Sequence, residues 1–144
     1  AMDPEHKRGI SKAIIKEWID SGTIEYLGTT ADVRHFIQQA DCIVLPSYRE
    51  GTPRTLLEAA SSSKPIIATN VPGCNHVVEN NVNGLLCKLK DADDLADKMK
   101  TMARFDDDML KKMGDNGRQK MEAEYDESIV INKYLGTLTA LKPV

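Results

Sequence analysis

The chain has 144 residues, 41% of them apolar and 28% charged, with a formal net charge of −3. That is enough for one domain with a modest core, and the balance leaves no electrostatic footprint for nucleic acid. No apolar run approaches the ~20 residues of a membrane span and no secretory segment opens the sequence, so the expectation is a cytoplasmic protein whose parent can still touch a membrane through other parts.

The first nine residues read as a tag remnant or tail, residues 1–4 resembling an expression scar. Residues 11–20, SKAIIKEWID, place Ile14, Ile15, Trp18 and Ile19 at helical spacing before Gly22, which predicts an amphipathic helix lying on a sheet with Trp18 in the core. Residues 24–27 are expected to form a short strand, and residues 28–32 a turn. Asp32 then caps a helix through Gln39 with Val33, Phe36 and Ile37 inward. Residues 42–45 are the next strand, followed by a polar loop and a helix. Pro65 stops that helix, and residues 66–69 form a buried strand. A turn at residues 71–73 leads to a short helix beginning at residues 76–79 and ended by Asn80, Asn81 and Asn83, and residues 84–87 give the last strand. Three helices follow, started by Asp91, by residues 106–108 and by residues 126–128; a methionine stripe (Met99, Met102, Met109, Met113) is expected to fill core gaps. Strands alternating with short helices predict an α/β fold, a Rossmann-like parallel sheet with flanking helices.

Cys42, Cys74 and Cys87 are odd in number and widely spaced, and His6, His35 and His76 form no ligand cluster. Neither a metal site nor a disulfide framework follows, and reduced thiols are expected.

The rest of the chain is organised around residues 42–60, CIVLPSYREGTPRTLLEAA. The run Ile43, Val44, Leu45 suits a strand buried on both faces, and Pro46 ends it. Thr52 is placed to cap the next helix and Pro53 to open it, where its missing N–H costs nothing. A strand thus delivers its loop to a helix N-terminus, whose free amides and partial positive charge favour a phosphate, at the strand end where open α/β sheets bind ligands. Glu50 and Glu58 bracket that point with seven residues between them. Carboxylates accept from hydroxyls, so an anion site between two such acceptors has the chemistry of a nucleotide-sugar pocket.

Glu50 and Glu58 within SYREGTPRTLLEA, with EYLGTTADVRHFIQQADCIVLPS before and KPIIATNVPGCNHVVENNVNGLLC after, resemble the E-x7-E region of retaining GT-B glycosyltransferases, the glycosyl transferases group 1 class (family 4). The resemblance covers about residues 24–87. It implies the donor-binding, C-terminal domain of an enzyme moving a sugar from a nucleotide sugar to a saccharide or lipid-linked acceptor, often in polysaccharide or cell-envelope assembly, with no metal or other cofactor. By this likeness Glu50 contacts donor-sugar hydroxyls and is the catalytic candidate. Gly51, Thr52 and Pro53 bring backbone to the sugar and diphosphate, Glu58 accepts from the ribose, Gly28, Thr29, Thr30 and Ala31 face the base, and Gly73 belongs to the loop after the next strand. A donor domain over residues 10–125 is followed by a helix, residues 126–144, that crosses back to an N-terminal domain. Arg54 stands four residues before Glu58, so a plain helix-surface pair competes with the ligand role; Gly84 reads as serving turn geometry.

The sequence departs from the pattern before Ser11, where the family's first βαβ unit, its diphosphate-clamping arginine and lysine and the whole N-terminal domain are absent. Leaving-group neutralisation is central to such transfer, so the fragment is expected to be inactive, and its uncovered sheet edge to rearrange or pair with a second copy. Other readings are a GT-B-fold epimerase or phosphorylase, and a non-catalytic nucleotide or protein interaction module.

Overall fold

The computed structural model describes residues 10–140; the tail assigned to residues 1–9, with its scar and His6, lies outside them. Three strands form one parallel sheet in the order β1 (Ile43–Leu45), β2 (Ile66–Thr69), β3 (Gly84–Cys87). Register runs Ile43 to Ile66 on one side of β2 and Ile66 to Gly84 on the other. The helices are α1 (Lys12–Asp20), α2 (Arg34–Gln39), α3 (Arg54–Ser61), α4 (Cys74–Val77), α5 (Ala92–Met102), α6 (Asp107–Glu124) and α7 (Glu127–Ala140). The α/β class read from the strand–helix alternation is the class observed.

β2 is the centre. All four of its residues are buried, and its alternation divides the core: Ile66 and Ala68 join Leu56, Ala59, Ala60, Val77 and Met121 on one face, while Ile67 joins Leu85, Met102 and Met113 on the other. Gly84 allows this closeness. A Cβ there would stand 2.1 Å from the Ile66 carbonyl oxygen, so this glycine serves strand approach, where turn geometry was expected. Gly114 does the same for α6 against Ser63, 2.0 Å from its carbonyl oxygen.

Local signals account for most boundaries. Asp91 and Asp106 cap α5 and α6 by accepting from the amides of Asp94 and Met109, and Ser11 caps α1 through Ile14. Between α4 and β3, buried Asn83 donates to the Val77 carbonyl and accepts from the Glu79 amide at 2.7 Å, and Asn81 takes a positive φ of 65°. The asparagines do close this helix, but it begins earlier than expected, at Cys74.

Several expectations are corrected. Residues 24–27 form no strand; a strand needs a neighbour to take its amides and carbonyls, and among the described residues this segment has no ladder partner. Helix α1 buries no residue and Trp18 is 38% exposed, so the core position expected of Trp18 is not found. β1 is half-buried rather than buried on both faces, because it lies at the end of the strand order. Val33 precedes α2 and is exposed, leaving Ile37 as its buried residue. The methionine stripe divides: Met102 and Met113 are core, Met99 and Met109 surface. The chain falls into two compact units, one ending at Val33 and one starting at Arg34.

Candidate functional site

The site is built where β1 ends. Pro46 breaks the strand, and residues 46–53 lead into α3. The helix starts one residue later than expected: Pro53 is the N-cap, in an extended conformation with no side-chain cap bond, and Thr52 lies outside it. Thr52 is therefore not the cap, and the free amides of the first turn are not taken by its hydroxyl. Pro53 itself is buried, whereas Gly51 and Thr52 are exposed.

Glu50 is half-buried and accepts a hydrogen bond of 2.6 Å from the Ser47 hydroxyl. This partner was not read from the sequence, although a serine three residues before an acid in a turn is a recognisable local signal. The loop is also fixed from behind. Gly73 has φ of 91°, and a Cβ on it would lie 2.0 Å from the Gly51 carbonyl oxygen and 2.7 Å from that of Glu50. Only glycine fits both the left-handed backbone and this approach, so the loop after β2 buttresses the segment carrying Glu50. Cys74 follows directly and is fully buried; burial first, and then the Glu50 carboxylate, push its thiol above the ordinary range. Cys42, on the other face, is raised to about 11, chiefly by burial.

Glu58 lies on α3 with its side chain 33% exposed, and Arg54 Nε donates to Glu58 Oε1 at 2.9 Å. The helix-surface pair is thus present. It takes one of roughly four lone-pair positions of the carboxylate, Arg54 is 89% exposed, and exposed i,i+4 pairs are worth only about 0.3–0.5 kcal/mol. Residues 28–31 belong to the other unit. There Gly28 has φ of 77° with open space around it, a turn requirement, and the Thr30 hydroxyl bonds the backbone of Asp32. The structure thus brings Glu50, Gly51 and Gly73 together after β1, with Thr52 and Pro53 leading into α3 and Glu58 in the second turn of that helix. Among the described residues no three His, Cys, Asp or Glu side chains converge as a metal site would require, and no helix is long and apolar enough to cross a membrane.

The family model for glycosyl transferases group 1 matches residues 11–120. The chain belongs to that family. Among similar proteins, the N,N'-diacetylbacillosaminyl-diphospho-undecaprenol alpha-1,3-N-acetylgalactosaminyltransferase of Campylobacter jejuni is 35% identical over 83% of this group 1 glycosyltransferase chain and 31% of its own length. A UDP-Gal:alpha-D-GlcNAc-diphosphoundecaprenol alpha-1,3-galactosyltransferase of Escherichia coli is 36% identical over 66% of this chain and 24% of its own. The chain therefore spans a third or less of these curated relatives. Among solved structures, HepE of Anabaena in complex with UDP superposes with a TM-score of 0.80 at 22% identity, over 90% of this chain and 36% of that one. The C-terminal domain of a group 1 glycosyl transferase, LpcC of Francisella tularensis, gives 0.66 at 22%, over 80% and 62%. The shared fold is that of GT-B glycosyltransferases.

Proposed function

We propose that this chain is the donor-binding part of a retaining, family 4 glycosyltransferase that moves a hexose-type sugar from a nucleotide sugar to a saccharide or lipid-linked acceptor in cell-envelope polysaccharide assembly. The observation that carries the reading is the Glu50–Pro53 loop, set at the carboxyl end of β1 against Gly73, with Glu58 one turn into the helix that follows. Glu50 meets hydroxyls of the donor sugar and is the catalytic residue. Gly51, Thr52 and Pro53 bring backbone to the sugar and diphosphate, Glu58 accepts from the ribose, and the residue 28–31 turn faces the base. The diphosphoundecaprenol acceptors named for the two curated relatives support a lipid-linked acceptor here.

The oxocarbenium-like transition state is assisted by the departing diphosphate, with no metal or other cofactor required. A basic pair of the parent enzyme neutralises that group, and the 144-residue chain alone is expected not to turn over. Residues 10–125 form the donor domain, and α7 crosses to the N-terminal domain. The parent works in the cytoplasm, in part at a membrane, and does not bind nucleic acid. The outer edge of β1 pairs with a second copy in the isolated chain; light scattering that finds only monomer removes that element.

In the parent enzyme, Glu50→Ala is expected to lower transfer by at least about a hundredfold, the scale of losing one electrostatic stabiliser, with circular dichroism and melting unchanged. Full activity in that variant sinks the catalytic assignment.

A further inference from the structure

In the loop that follows β1, Ser47 and Glu50 are half-buried, whereas Pro46, Tyr48, Arg49 and Gly51 around them are exposed. The backbone turns these two side chains inward together, and the Ser47 hydroxyl meets Glu50 Oε1 at 2.6 Å. An ionised carboxylate has no proton to give, so the serine donates. The distance is that of a charge-assisted O–H···O⁻ bond, about 2.5–2.7 Å, which is stronger than its neutral counterpart.

A serine that only shapes a turn bonds the backbone a few residues away. Among the described residues the Ser47 hydroxyl bonds no backbone group and gives its hydrogen to the acid instead. Nor does a cation pair with Glu50 among the described residues, in contrast to Glu58, which takes the Arg54 guanidinium at 2.9 Å. A cation would offset the charge of the carboxylate; a neutral hydroxyl fixes its direction and leaves the charge in place. Backbone position is set separately, by the close approach of Gly73 to the Glu50 and Gly51 carbonyls. That approach fixes no side-chain torsion, and a glutamate has about nine staggered χ1/χ2 combinations with a broad χ3.

We infer that Ser47 is a positioning residue for Glu50: its hydroxyl holds Oε1 and so presents Oε2, with the negative charge intact, to the donor sugar before the sugar arrives. The assignment rests on the reading of Glu50 as the residue that meets the donor. A carboxylate fixed in advance need not be ordered during the reaction, and a misplacement of about 1 Å is enough to cost about a hundredfold in rate. Ser47 acts through Glu50 and not on the substrate, so its removal falls on kcat. Donor affinity, carried by Glu58 and the amides at the start of α3, is left in place.

The test is a double-mutant cycle on sugar transfer by the parent enzyme, built from Ser47→Ala, Glu50→Ala and the two together, with Ser47→Thr and Ser47→Cys alongside. Ser47→Ala is expected to lower kcat by about tenfold or more while the donor KM stays within about threefold. Ser47→Thr keeps a hydroxyl and should stay within about threefold of wild type; Ser47→Cys is close in shape but a weak donor, and should fall with alanine. In the Glu50→Ala background, Ser47→Ala should change the residual transfer by less than about twofold, because no acid is left to position. The inference is overturned by wild-type kcat in Ser47→Ala, by a loss confined to KM, or by equal factors lost in both backgrounds, which marks a structural role in the loop. Should the alanine variant not fold, Ser47→Cys carries the same cycle. Full activity in Glu50→Ala overturns the reading of Glu50 and this inference with it, whereas a damaged Glu50→Ala beside an unaffected Ser47→Ala overturns the inference alone.

Discussion

Helices α6 and α7 follow one another and look alike in sequence, each opened by an aspartate and each carrying apolar residues, yet one is welded to the sheet and the other is not. α6 buries Met113, Gly114, Gly117 and Met121. Its two glycines let the backbone approach Ser63 and Ala60, and Arg118 reaches the Ser61 carbonyl at 2.7 Å. α7 shows Val130, Ile131, Tyr134, Leu135 and Leu138 at half exposure or more, and Gly136 has nothing within 4 Å of a built Cβ. Hydrophobic content alone does not dock a helix; small residues aligned along one face, with a partner of matching shape, do.

The contrast can be broken at its strongest point. Gly114→Ala places a methyl group into the Ser63 carbonyl and is expected to cost about 3 kcal/mol or more in denaturant unfolding, since backbone on both sides must give way; a loss under 1 kcal/mol would mean that α6 is loosely held. Met121→Ala removes a buried side chain of the same interface and should cost about 2–3 kcal/mol, whereas Leu138→Ala on α7 should stay within about 0.5 kcal/mol. Equal losses at the two positions would show α7 to be packed as tightly as α6. Gly136→Ala sharpens the point with the opposite sign: in an open helix interior it should stabilise by up to about 1 kcal/mol, read as a small rise in melting temperature.

The same contrast explains what the sequence could and could not reveal. Strands β2 and β3, the caps Asp91 and Asp106 and the proline stop before β2 are local devices, and they appear where their chemistry puts them. Residues 24–27 and Trp18 were misread because strand pairing and burial are supplied by neighbours, which no local pattern contains. For the site, the positions of Glu50 and Glu58 were legible from their spacing around a helix start. The buttress by Gly73 was legible only as a glycine in a loop; its contact with the Glu50 and Gly51 carbonyls depends on how the β2 loop folds back. Thr52 was misassigned as a cap because Pro53, with its fixed φ, is tolerated at either the cap or the first turn, and the chain uses it as the cap.

The central claim is that Glu50 and Glu58 frame a bound nucleotide sugar. Its most direct test is calorimetric titration of the intact parent enzyme, wild type against Glu58→Gln, with the sugar nucleotide that saturation-transfer NMR selects from a panel. Affinity is expected to fall by about tenfold or more, the scale of a lost charge-assisted hydrogen bond of about 1.5–3 kcal/mol. Unchanged affinity would reduce Glu58 to the surface partner of Arg54 and contradict the account.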